Sequence, residues 1–307
     1  MGKQILITGT NSYVGTSFKQ YIEKKNGNMP LEDRWHVTFV SVRNSEWKKM
    51  DFSKYDTILH VAAIVHQKEQ PDMETLYYNV NTKLTVELAE KAKKEHVPQF
   101  IFFSTMSIYG VVTGNITEDT VPSPITFYGK SKLEAEEQLL KLKTEEFTVS
   151  IVRPPMIYGK NCTGNYISLE KLAKLTPIFP KIANERSMLY IDNLSEFLYR
   201  ITESKLGGIY CPQNRKYVNT SDMVVRIAEN YDRKVWLVPG FQGIITLLAK
   251  KINIFAKVFG SLTYDWKMSF PEELGDYEVT DFLESIIESK NEETPEIDMK
   301  INQDFIT

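Results

Sequence analysis

A tyrosine and a lysine four residues apart form the first pair in the sequence that could do chemistry together. Tyr128 and Lys132 lie in segment 127–143, whose apolar pattern predicts a helix. Positions i and i+4 share one helix face, so both side chains can point into one pocket. A nearby ammonium group lowers the pKa of a phenol, about 10 when unperturbed. Tyr128 could then accept the proton of a hydroxyl group whose carbon loses a hydride. The same spacing also occurs on solvated helix faces.

Hydroxyl side chains follow a buried strand upstream of that helix. The apolar pattern of residues 99–105 predicts this strand. It ends in Ser104 and Thr105, and Ser107 follows two residues later. Ligands of parallel sheets bind beyond the carboxyl ends of the strands. Thr105 could therefore donate a hydrogen bond to the oxygen of a reacting carbonyl group. The alternative is that these hydroxyls only cap the strand end.

A glycine-containing turn lies near the amino terminus. A strand pattern leads into Thr8-Gly9-Thr10-Asn11-Ser12-Tyr13-Val14-Gly15, and a helix pattern follows. Small residues let the backbone approach a pyrophosphate, and the helix N-terminus directs free N–H groups at it. Ser12 stands where the usual spacing has its middle glycine, which is tolerable if its φ is negative. A glycine turn also ends strands in proteins that bind no nucleotide.

The elements that position these residues alternate along the first half of the chain. Predicted strands cover 4–8, 35–42, 57–63, 99–105 and 147–153, and predicted helices cover 13–25, 73–94 and 127–143. This alternation predicts an α/β fold with right-handed crossovers and a parallel sheet covered on both faces.

The pattern changes near residue 155, where glycine and proline cluster. We predict a dinucleotide-binding domain over 1–155, to which segments near 187–212 could return. A smaller, loop-rich substrate-binding domain would cover 156–290. Residues 291–307 are polar and lack periodicity, so we predict a tail.

Composition excludes several classes of protein. The chain has 307 residues, 37 Lys and Arg, 40 Asp and Glu, and a net charge of −3. This balance argues against a nucleic-acid-binding protein. Cys162 and Cys211 cannot form a disulfide framework, and no residue spacing suggests a metal site. No segment is apolar and long enough to span a membrane, and the amino terminus lacks the core of a signal peptide. We expect a cytoplasmic protein.

Taken in order, the motifs resemble the extended short-chain dehydrogenase/reductase superfamily, in its NAD-dependent epimerase/dehydratase branch. The resemblance covers about residues 3–270. Its matching pieces are Thr8-Gly9…Gly15, Asp51-Phe52, His60-Val61-Ala62-Ala63, Asn79-Val80-Asn81, Ser104-Thr105…Ile108-Tyr109-Gly110, Tyr128…Lys132, Arg153-Pro154-Pro155…Tyr158-Gly159 and Arg186-Ser187…Tyr190-Ile191-Asp192-Asn193-Leu194.

The resemblance implies a modified Rossmann domain, a doubly wound parallel sheet, with a smaller carboxy-terminal substrate-binding domain. It also implies NAD or NADP as cofactor. Asp51 and Phe52 would contact the adenine, and Asn79 would brace the region of the fourth strand. The residues assigned to the cofactor are Gly9, Asn11, Ser12, Tyr13, Val14, Gly15, Arg43, Asp51, Phe52, Ala62, Ala63, Asn79, Lys132 and Pro154.

By the same resemblance, Tyr128, Lys132 and Thr105 would be catalytic. Arg186 and Asn165 would contact a substrate diphosphate, and Ser107 is assigned to the substrate. The implied reaction is reversible oxidation at C4 of a UDP-hexose, as in a UDP-glucose 4-epimerase of surface polysaccharide biosynthesis. Two alternatives remain open: an NADPH-dependent 4-ketoreductase of a UDP-4-keto-deoxysugar, and a non-catalytic NAD(P) sensor.

Departures from the family pattern argue against one reaction of the family and leave the choice between NAD and NADP open. Met106 and Ser107 occupy the positions where dehydratases carry an acidic pair, which argues against 4,6-dehydration. The second strand lacks the acidic residue expected to hold an NAD ribose. Arg43 could instead meet a 2′-phosphate, or it could be a solvated loop arginine.

Three further features have open interpretations. Segment 241–260 is apolar with three lysines, so it could lie on an anionic membrane surface or pack on the smaller domain. His66 could line the sugar pocket or have a structural role. By resemblance, a homodimer would form through the 73–94 and 127–143 helices.

Overall fold

The computed structural model describes residues 2–65, 69–251 and 253–291. Its strands are β1 (Gln4–Thr8), β2 (His36–Val40), β3 (Thr57–His60), β4 (Gln99–Phe103), β5 (Gly114–Ile116), β6 (Thr148–Val152), β7 (Met156–Tyr158), β8 (Ile178–Pro180), β9 (Met188–Tyr190), β10 (Gly208–Tyr210), β11 (Trp236–Val238) and β12 (Leu262–Tyr264). Its α-helices are α1 (Tyr13–Asn26), α2 (Glu74–Tyr77), α3 (Leu84–Lys94), α4 (Phe127–Leu142), α5 (Asn165–Leu175), α6 (Ile191–Ser204), α7 (Thr220–Asn230), α8 (Gln242–Lys251), α9 (Asn253–Phe259) and α10 (Phe282–Glu288).

Six strands form one parallel sheet in the order β2, β1, β3, β4, β6, β10. The strand order reverses at β1, where Thr8 lies opposite both Val40 and His60. In open α/β sheets, ligands bind in the crevice beyond the carboxyl ends at such a reversal. The predicted α/β class with a doubly wound parallel sheet is confirmed.

Alternate side chains of the strands enter two separate cores. On one face of the sheet, Ile5 and Ile7 belong to a core that includes Phe197 of α6. On the other face, Leu6 belongs to a core that includes Leu88 of α3. Each such fully buried side chain stabilises the fold by about 1.5–3 kcal/mol. The two cores therefore hold the strand ends in fixed register.

The region predicted as one helix over 73–94 contains a wide turn. Between α2 and α3 the segment Tyr78–Lys83 is a π-helix, in which the Leu84 N–H donates to the Asn79 carbonyl five residues back. Asn81 and Thr82 in this turn are buried, and the Thr82 hydroxyl donates to the Ser131 carbonyl of α4 at 2.8 Å. The inserted residue shifts which side chains face α4.

Beyond β6 the chain also forms small parallel pairs: β7 with β9, β8 with β11, and β12 with β5. β10 joins the central sheet beside β6, whereas β9 lies outside it. The domain boundaries at 155 and 290 stay a prediction. His66 and residues 292–307 of the predicted tail lie outside the described residues. A search of the described helices found none that is long and apolar enough to cross a bilayer.

Candidate active site

The turn after β1 has the backbone shape that a pyrophosphate site requires. Gly9 has a φ of 95°, in the left-handed region that favours glycine, and a Cβ atom there would lie 3.3 Å from Ala62 Cα. Ser12 has a φ of −72°, so the condition on its backbone is met. Its hydroxyl donates to the Gly9 carbonyl at 2.9 Å and accepts from the Gly15 N–H at 3.2 Å. A Cβ atom at Gly15 would lie 2.4 Å from Ser12 Oγ.

This turn fits the diphosphate of a dinucleotide. Tyr13 and Val14 open α1, where N–H groups have no acceptor further back in the helix and carry the positive end of its dipole. Asn11 is exposed at the tip of the turn, and Ala62 and Ala63 lie half-buried after β3. Small residues thus leave the helix N-terminus open to an anion. The residues present are compatible with NAD or NADP.

The residues predicted to meet the adenine end differ in accessibility. Arg43 is exposed after β2. Asp51 is exposed too, and hydrogen bonds from Ser53 lower the pKa of its carboxyl group. The Phe52 side chain is completely buried in the core, and its N–H donates to a Glu95 carboxylate oxygen at 2.6 Å. Of the predicted adenine pair, only Asp51 therefore presents its side chain at the surface.

The helix that carries the tyrosine has two side-chain caps at its N-terminus. The Thr126 hydroxyl accepts from the Gly129 N–H at 3.0 Å. The Glu69 carboxylate accepts from the N–H groups of Phe127 and Tyr128, both at 2.9 Å. Sequence reasoning missed Glu69, because it lies 58 residues before Phe127 and no local motif marks the contact. These caps fix the first turn of α4, which includes Tyr128.

The three predicted catalytic residues meet at the carboxyl end of β4. The Thr105 side chain lies within reach of the Tyr128 hydroxyl and favours its ionised form by hydrogen bonding. Lys132 is almost completely buried, and its Nζ donates to the Phe103 carbonyl at 2.8 Å. The same Nζ lies 4.5 Å from the centroid of the Phe102 ring. The fold thus brings a phenol, a hydroxyl and an amine to one strand end.

The electrostatics of this group differ from the sequence-based expectation. Burial raises the pKa of Tyr128 to about 12, although the hydrogen bond with Thr105 acts in the opposite direction. Burial also lowers the pKa of Lys132 to about 7, against the effect of Glu136. The expected lowering of the Tyr128 pKa by Lys132 is therefore not observed. The reason is that desolvation outweighs the other effects on Tyr128 and that the Lys132 amine points to a backbone carbonyl.

A network that we call the buried polar cluster supports this strand end. It consists of Ser104, Tyr109, Glu136 and Arg153. The Arg153 guanidinium donates to both Glu136 carboxylate oxygens, from Nε at 3.1 Å and from Nη2 at 2.5 Å. Nη1 donates to the Tyr109 hydroxyl at 2.8 Å, and the Ser104 hydroxyl donates to Glu136. Paired and hydrogen-bonded in this way, the two charges can be buried together.

Asn81, two residues after the predicted Asn79, makes a bracing contact that the sequence did not predict. Asn79 is exposed in the π-helical turn. Asn81 is completely buried; its Oδ1 accepts from the Ile64 N–H at 2.9 Å, and its Nδ2 donates to the Ser131 hydroxyl at 3.1 Å. It thereby ties the loop after β3 to α4. The bracing role assigned to Asn79 in the region of the fourth strand stays a prediction.

His60 is a structural residue of the β1–β3 pair. It is fully buried, and its two ring nitrogens lie 2.6 Å from the Thr8 hydroxyl and 2.8 Å from the Thr85 hydroxyl. Burial lowers its pKa to about 3, so the ring is neutral. Among the described residues, no group of three or more His, Cys, Asp or Glu side chains could hold a metal ion.

The residues predicted to contact the substrate lie on separate elements. Ser107 is exposed, one turn beyond Thr105, and its N–H donates to the Thr105 Oγ1 at 3.1 Å. The buried Pro154 carbonyl accepts from the Met106 N–H at 3.1 Å and so joins the β6 end to the β4 end. Asn165 is the first residue of α5.

Arg186 lies on a segment that is connected through β12 to the end of β6. Its Nη1 donates to the Gly260 carbonyl at 2.8 Å, and its backbone bridges to Leu262. Tyr264, two residues further along β12, donates from its hydroxyl to the Arg153 carbonyl at 3.0 Å. Burial lowers the pKa of Arg186, and no described carboxylate lies within ion-pair distance of it. A half-buried cation of this kind suits an anionic ligand.

Known proteins share this sequence and fold. Over 283 residues, the chain is 29% identical to a UDP-glucose 4-epimerase of Vibrio cholerae, covering 85% of this chain and 83% of the relative. It is 26% identical over 253 residues to an N-acetyl-alpha-D-glucosaminyl-diphospho-ditrans,octacis-undecaprenol 4-epimerase of Escherichia coli O157:H7, covering 76% and 74%. The structure resembles UDP-glucuronic acid 4-epimerase from Bacillus cereus in complex with NAD, with a TM-score of 0.69, 20% identity and coverage of 93% and 95%.

The sequence also matches the model of a protein family over most of its length. The match covers residues 5–210, which include the glycine turn, the β4 end and α4. Its description agrees with the resemblance that the motifs indicated. The chain belongs to the NAD dependent epimerase/dehydratase family.

Proposed function

We propose that this protein is an NAD(P)-dependent enzyme that reversibly oxidises C4 of a UDP-hexose, as a 4-epimerase does. The observation that carries the proposal is that the Tyr128 hydroxyl and the Thr105 side chain lie together at the carboxyl end of β4. Lys132 follows one helical turn later, and the glycine turn lies at the same edge of the sheet. Acid–base chemistry and dinucleotide binding thus share one crevice.

Each of these side chains has a distinct part in the reaction. Tyr128 takes the proton from O4 of the sugar during oxidation and returns it during reduction. Thr105 donates a hydrogen bond to the same oxygen and polarises the resulting carbonyl group. Lys132 holds the nicotinamide ribose and, when protonated, stabilises the phenolate. When bound, the nicotinamide supplies the hydride acceptor and, in its oxidised form, a positive charge. Epimerisation results when the ketone turns over and is reduced on its other face.

The high pKa of Tyr128 indicates its resting protonation state. At about 12, the pKa leaves the phenol protonated at neutral pH. Tyr128 is therefore ready to donate a proton to O4 in the reduction step. In the oxidation step it must act as a base, which requires positive charge nearby. Lys132 has a pKa of about 7, so its amine gains and loses a proton close to neutral pH.

The diphosphate is the part of the substrate for which the structure offers a partner. Arg186 is half-buried without a described carboxylate partner, and its planar guanidinium can pair with two phosphate oxygens. Asn165 at the start of α5 is proposed as a second contact. The two curated relatives are named for sugars linked to a diphosphate, one on uridine and one on a polyprenol. We favour the UDP-sugar, and surface polysaccharide synthesis as its use.

The assembly and cofactor choice complete the proposal. Arg43 is exposed beside the predicted adenosine ribose, where it could meet the 2′-phosphate of NADP, so either NAD or NADP is proposed.

Leu76, Tyr78 and Leu140 are exposed on the α2–α3 and α4 region that the family resemblance assigns to a homodimer. We propose that these side chains are covered by a second copy. A cytoplasmic location is proposed with it.

Turnover of candidate sugars tests the function. Purified protein is incubated with UDP-glucose, UDP-galactose and their N-acetyl forms, with and without NAD or NADP. Inversion at C4 without a net change in absorbance of the reduced nicotinamide is expected. Stoichiometric loss of NADPH with a 4-keto sugar would identify a ketoreductase instead. Tight cofactor binding without either reaction would contradict the proposal and favour a sensor.

A single substitution tests the assigned role of the phenol. Tyr128→Phe removes the proton-transfer group but keeps the ring, and we expect kcat to fall by about 10²–10⁴-fold. Cofactor binding should remain close to that of the unmodified protein. The matched control is Tyr199→Phe, because Tyr199 lies on α6 and its hydroxyl contacts only Glu203 at 3.3 Å among the described residues. Full activity in Tyr128→Phe would overturn the assignment.

A further inference from the structure

Large apolar side chains are exposed together on the β8–β11 pair. Trp236 and Ile178 are register partners in these parallel strands, so their side chains project from the same side. Their strand neighbour Phe179 points the other way and is buried in the core. Leu175, at the end of α5, is exposed just before β8. The outward side of this strand pair therefore has no cover among the described residues.

The helix that follows β11 continues the pattern. Ile244 and Leu247 lie three residues apart on α8 and share one side of the helix, whereas Ile245 is buried. Phe241 is exposed in the loop before them. We call Leu175, Ile178, Trp236, Phe241, Ile244 and Leu247 the apolar face; five of them are 58–82% exposed and Phe241 is 45% exposed.

The segments that carry the apolar face are rich in basic residues, and the acidic residue of α5, Glu170, is buried and pairs with Lys174 at 3.2 Å. Residues 171–184 and 233–264 include no Asp or Glu, although the whole chain has more acidic than basic residues. The Lys234 Nζ lies 4.1 Å from the centroid of the Trp236 ring, which places a cation directly against the apolar face. The basic residues of these segments are Lys171, Lys174, Lys181, Arg233, Lys234, Lys250, Lys251 and Lys257.

We propose that the apolar face docks on the surface of a lipid bilayer that contains anionic headgroups. Such a surface offers an apolar layer for Trp, Phe, Leu and Ile side chains and negative charge for cations such as Lys234 beside Trp236. Tryptophan in particular favours the boundary between headgroups and acyl chains. A second copy of this chain is a less suitable partner for the apolar face than a bilayer. A two-fold contact through this face would place the same cationic segments opposite each other.

Helix α5 and the segment after α9 connect the apolar face to the proposed diphosphate contacts. Gly260, directly after α9, accepts the hydrogen bond of Arg186. α5 runs from Asn165, the other proposed diphosphate contact, to Leu175 in the apolar face. A bilayer on the apolar face would thus bring the active site close to membrane-bound acceptors of its product. This consequence rests on the proposed function, whereas the docking itself does not.

Vesicle sedimentation of the full chain tests the docking without any turnover. The protein is mixed with vesicles of phosphatidylcholine alone or with added phosphatidylglycerol, at low and at high salt. We expect co-sedimentation with the anionic vesicles that weakens at high salt. The double variant Trp236→Ser, Ile178→Ser should bind about tenfold more weakly. Activity on a UDP-sugar should stay unchanged.

Matched controls make the outcomes distinct. Leu31→Ser and Val121→Ser remove exposed apolar side chains that lie outside the apolar face, and binding should not change. Absence of co-sedimentation, or equal losses in control and test variants, would overturn the proposal. So would a double variant that converts a dimer into a monomer while vesicle binding persists, because the face would then be a subunit interface. Inactivity on every UDP-sugar with normal vesicle binding would instead contradict only the proposed function.

Discussion

The buried polar cluster and the apolar face depart from the usual distribution of side chains in opposite directions. At the β4 end, an arginine and a glutamate are buried, at 8% and 1% exposure, and satisfy each other. On the apolar face, a tryptophan and several aliphatic side chains are exposed without cover. Buried charge and large exposed apolar patches are both informative because neither arises from hydrophobic burial alone.

This difference indicates that the buried polar cluster and the apolar face have different functions. Charges in the buried polar cluster have fixed partners on β4, α4 and the β6 end, so they hold the strand end that carries Thr105 in one arrangement. Side chains of the apolar face bury little of their surface within the chain, so they are available to a partner. If this comparison is right, substitutions in the first region should alter the fold and the chemistry, and those in the second should alter neither.

The largest effect on stability is expected from Glu136→Ala. Arg153 would then remain buried without its carboxylate, which typically costs about 3–5 kcal/mol. Urea unfolding measures the loss, and Glu136→Gln, which keeps a hydrogen-bond acceptor, should be less damaging. The control is Glu229→Ala, since Glu229 pairs with Arg226 at 3.1 Å on the surface, where each side chain is about half exposed. Equal losses in Glu136→Ala and Glu229→Ala would show that the buried polar cluster does not hold the strand end.

The next largest effect is a pH dependence of the free energy of unfolding that arises from Lys132. Its pKa is about 7 in the fold, against 10.5 for an unperturbed lysine, so between these values the unfolded chain binds the additional proton. Stability must then rise with pH across this window, by about 1.4 kcal/mol per unit from this group. The unmodified protein should therefore gain about 2–3 kcal/mol relative to Lys132→Met between pH 7 and pH 9. Urea unfolding at both pH values measures this change.

The neighbouring Lys130 provides the control for this pH dependence. It is exposed on the same helix, two residues before Lys132. The stability difference between the unmodified protein and Lys130→Met should stay flat over the same range. A flat difference for Lys132→Met as well would mean that the Lys132 amine stays charged in the fold, and the described burial would not govern its chemistry.

Much of the fold and the site could be predicted because the signals are local. Alternating strand and helix patterns predicted the parallel sheet, and the i, i+4 spacing predicted that Tyr128 and Lys132 share a helix face. The site depends on side chains that meet through distant contacts. The Glu69 cap on α4 joins residues 58 positions apart, and a single sequence contains no signal for it.

Two features of the site could not be predicted from periodicity. The π-helical turn Tyr78–Lys83 changes the phase of an otherwise regular helix, so Asn81 is buried against Ile64 while Asn79 is exposed. The pKa of Tyr128 depends on how deeply the phenol is buried and where the Lys132 amine points. Spacing predicts that two groups are neighbours, but it does not predict the dielectric environment that decides their charges.

A smaller effect is expected from Glu69→Ala, which removes the carboxylate cap of α4. Two N–H groups at the start of the helix would lose their acceptor, at a cost of about 0.5–2 kcal/mol. Because one of these groups belongs to Tyr128, kcat should fall as well, and Glu69→Gln should recover part of it. The control is Glu74→Ala in the exposed first turn of α2. Loss of stability without loss of kcat would limit Glu69 to a structural role.

The smallest effect on stability is expected from Trp236→Ala, and it separates the two regions most sharply. Substitution of an exposed side chain usually changes the free energy of unfolding by less than about 0.5 kcal/mol. The matched variant Trp47→Ala removes the same side chain from a position that is 3% exposed and should cost about 3–5 kcal/mol. If urea unfolding finds similar losses for both, Trp236 is part of the folded core and needs no partner to explain it. If only Trp47→Ala is destabilised, folding does not account for a tryptophan at position 236, and the reason must lie in what the apolar face contacts.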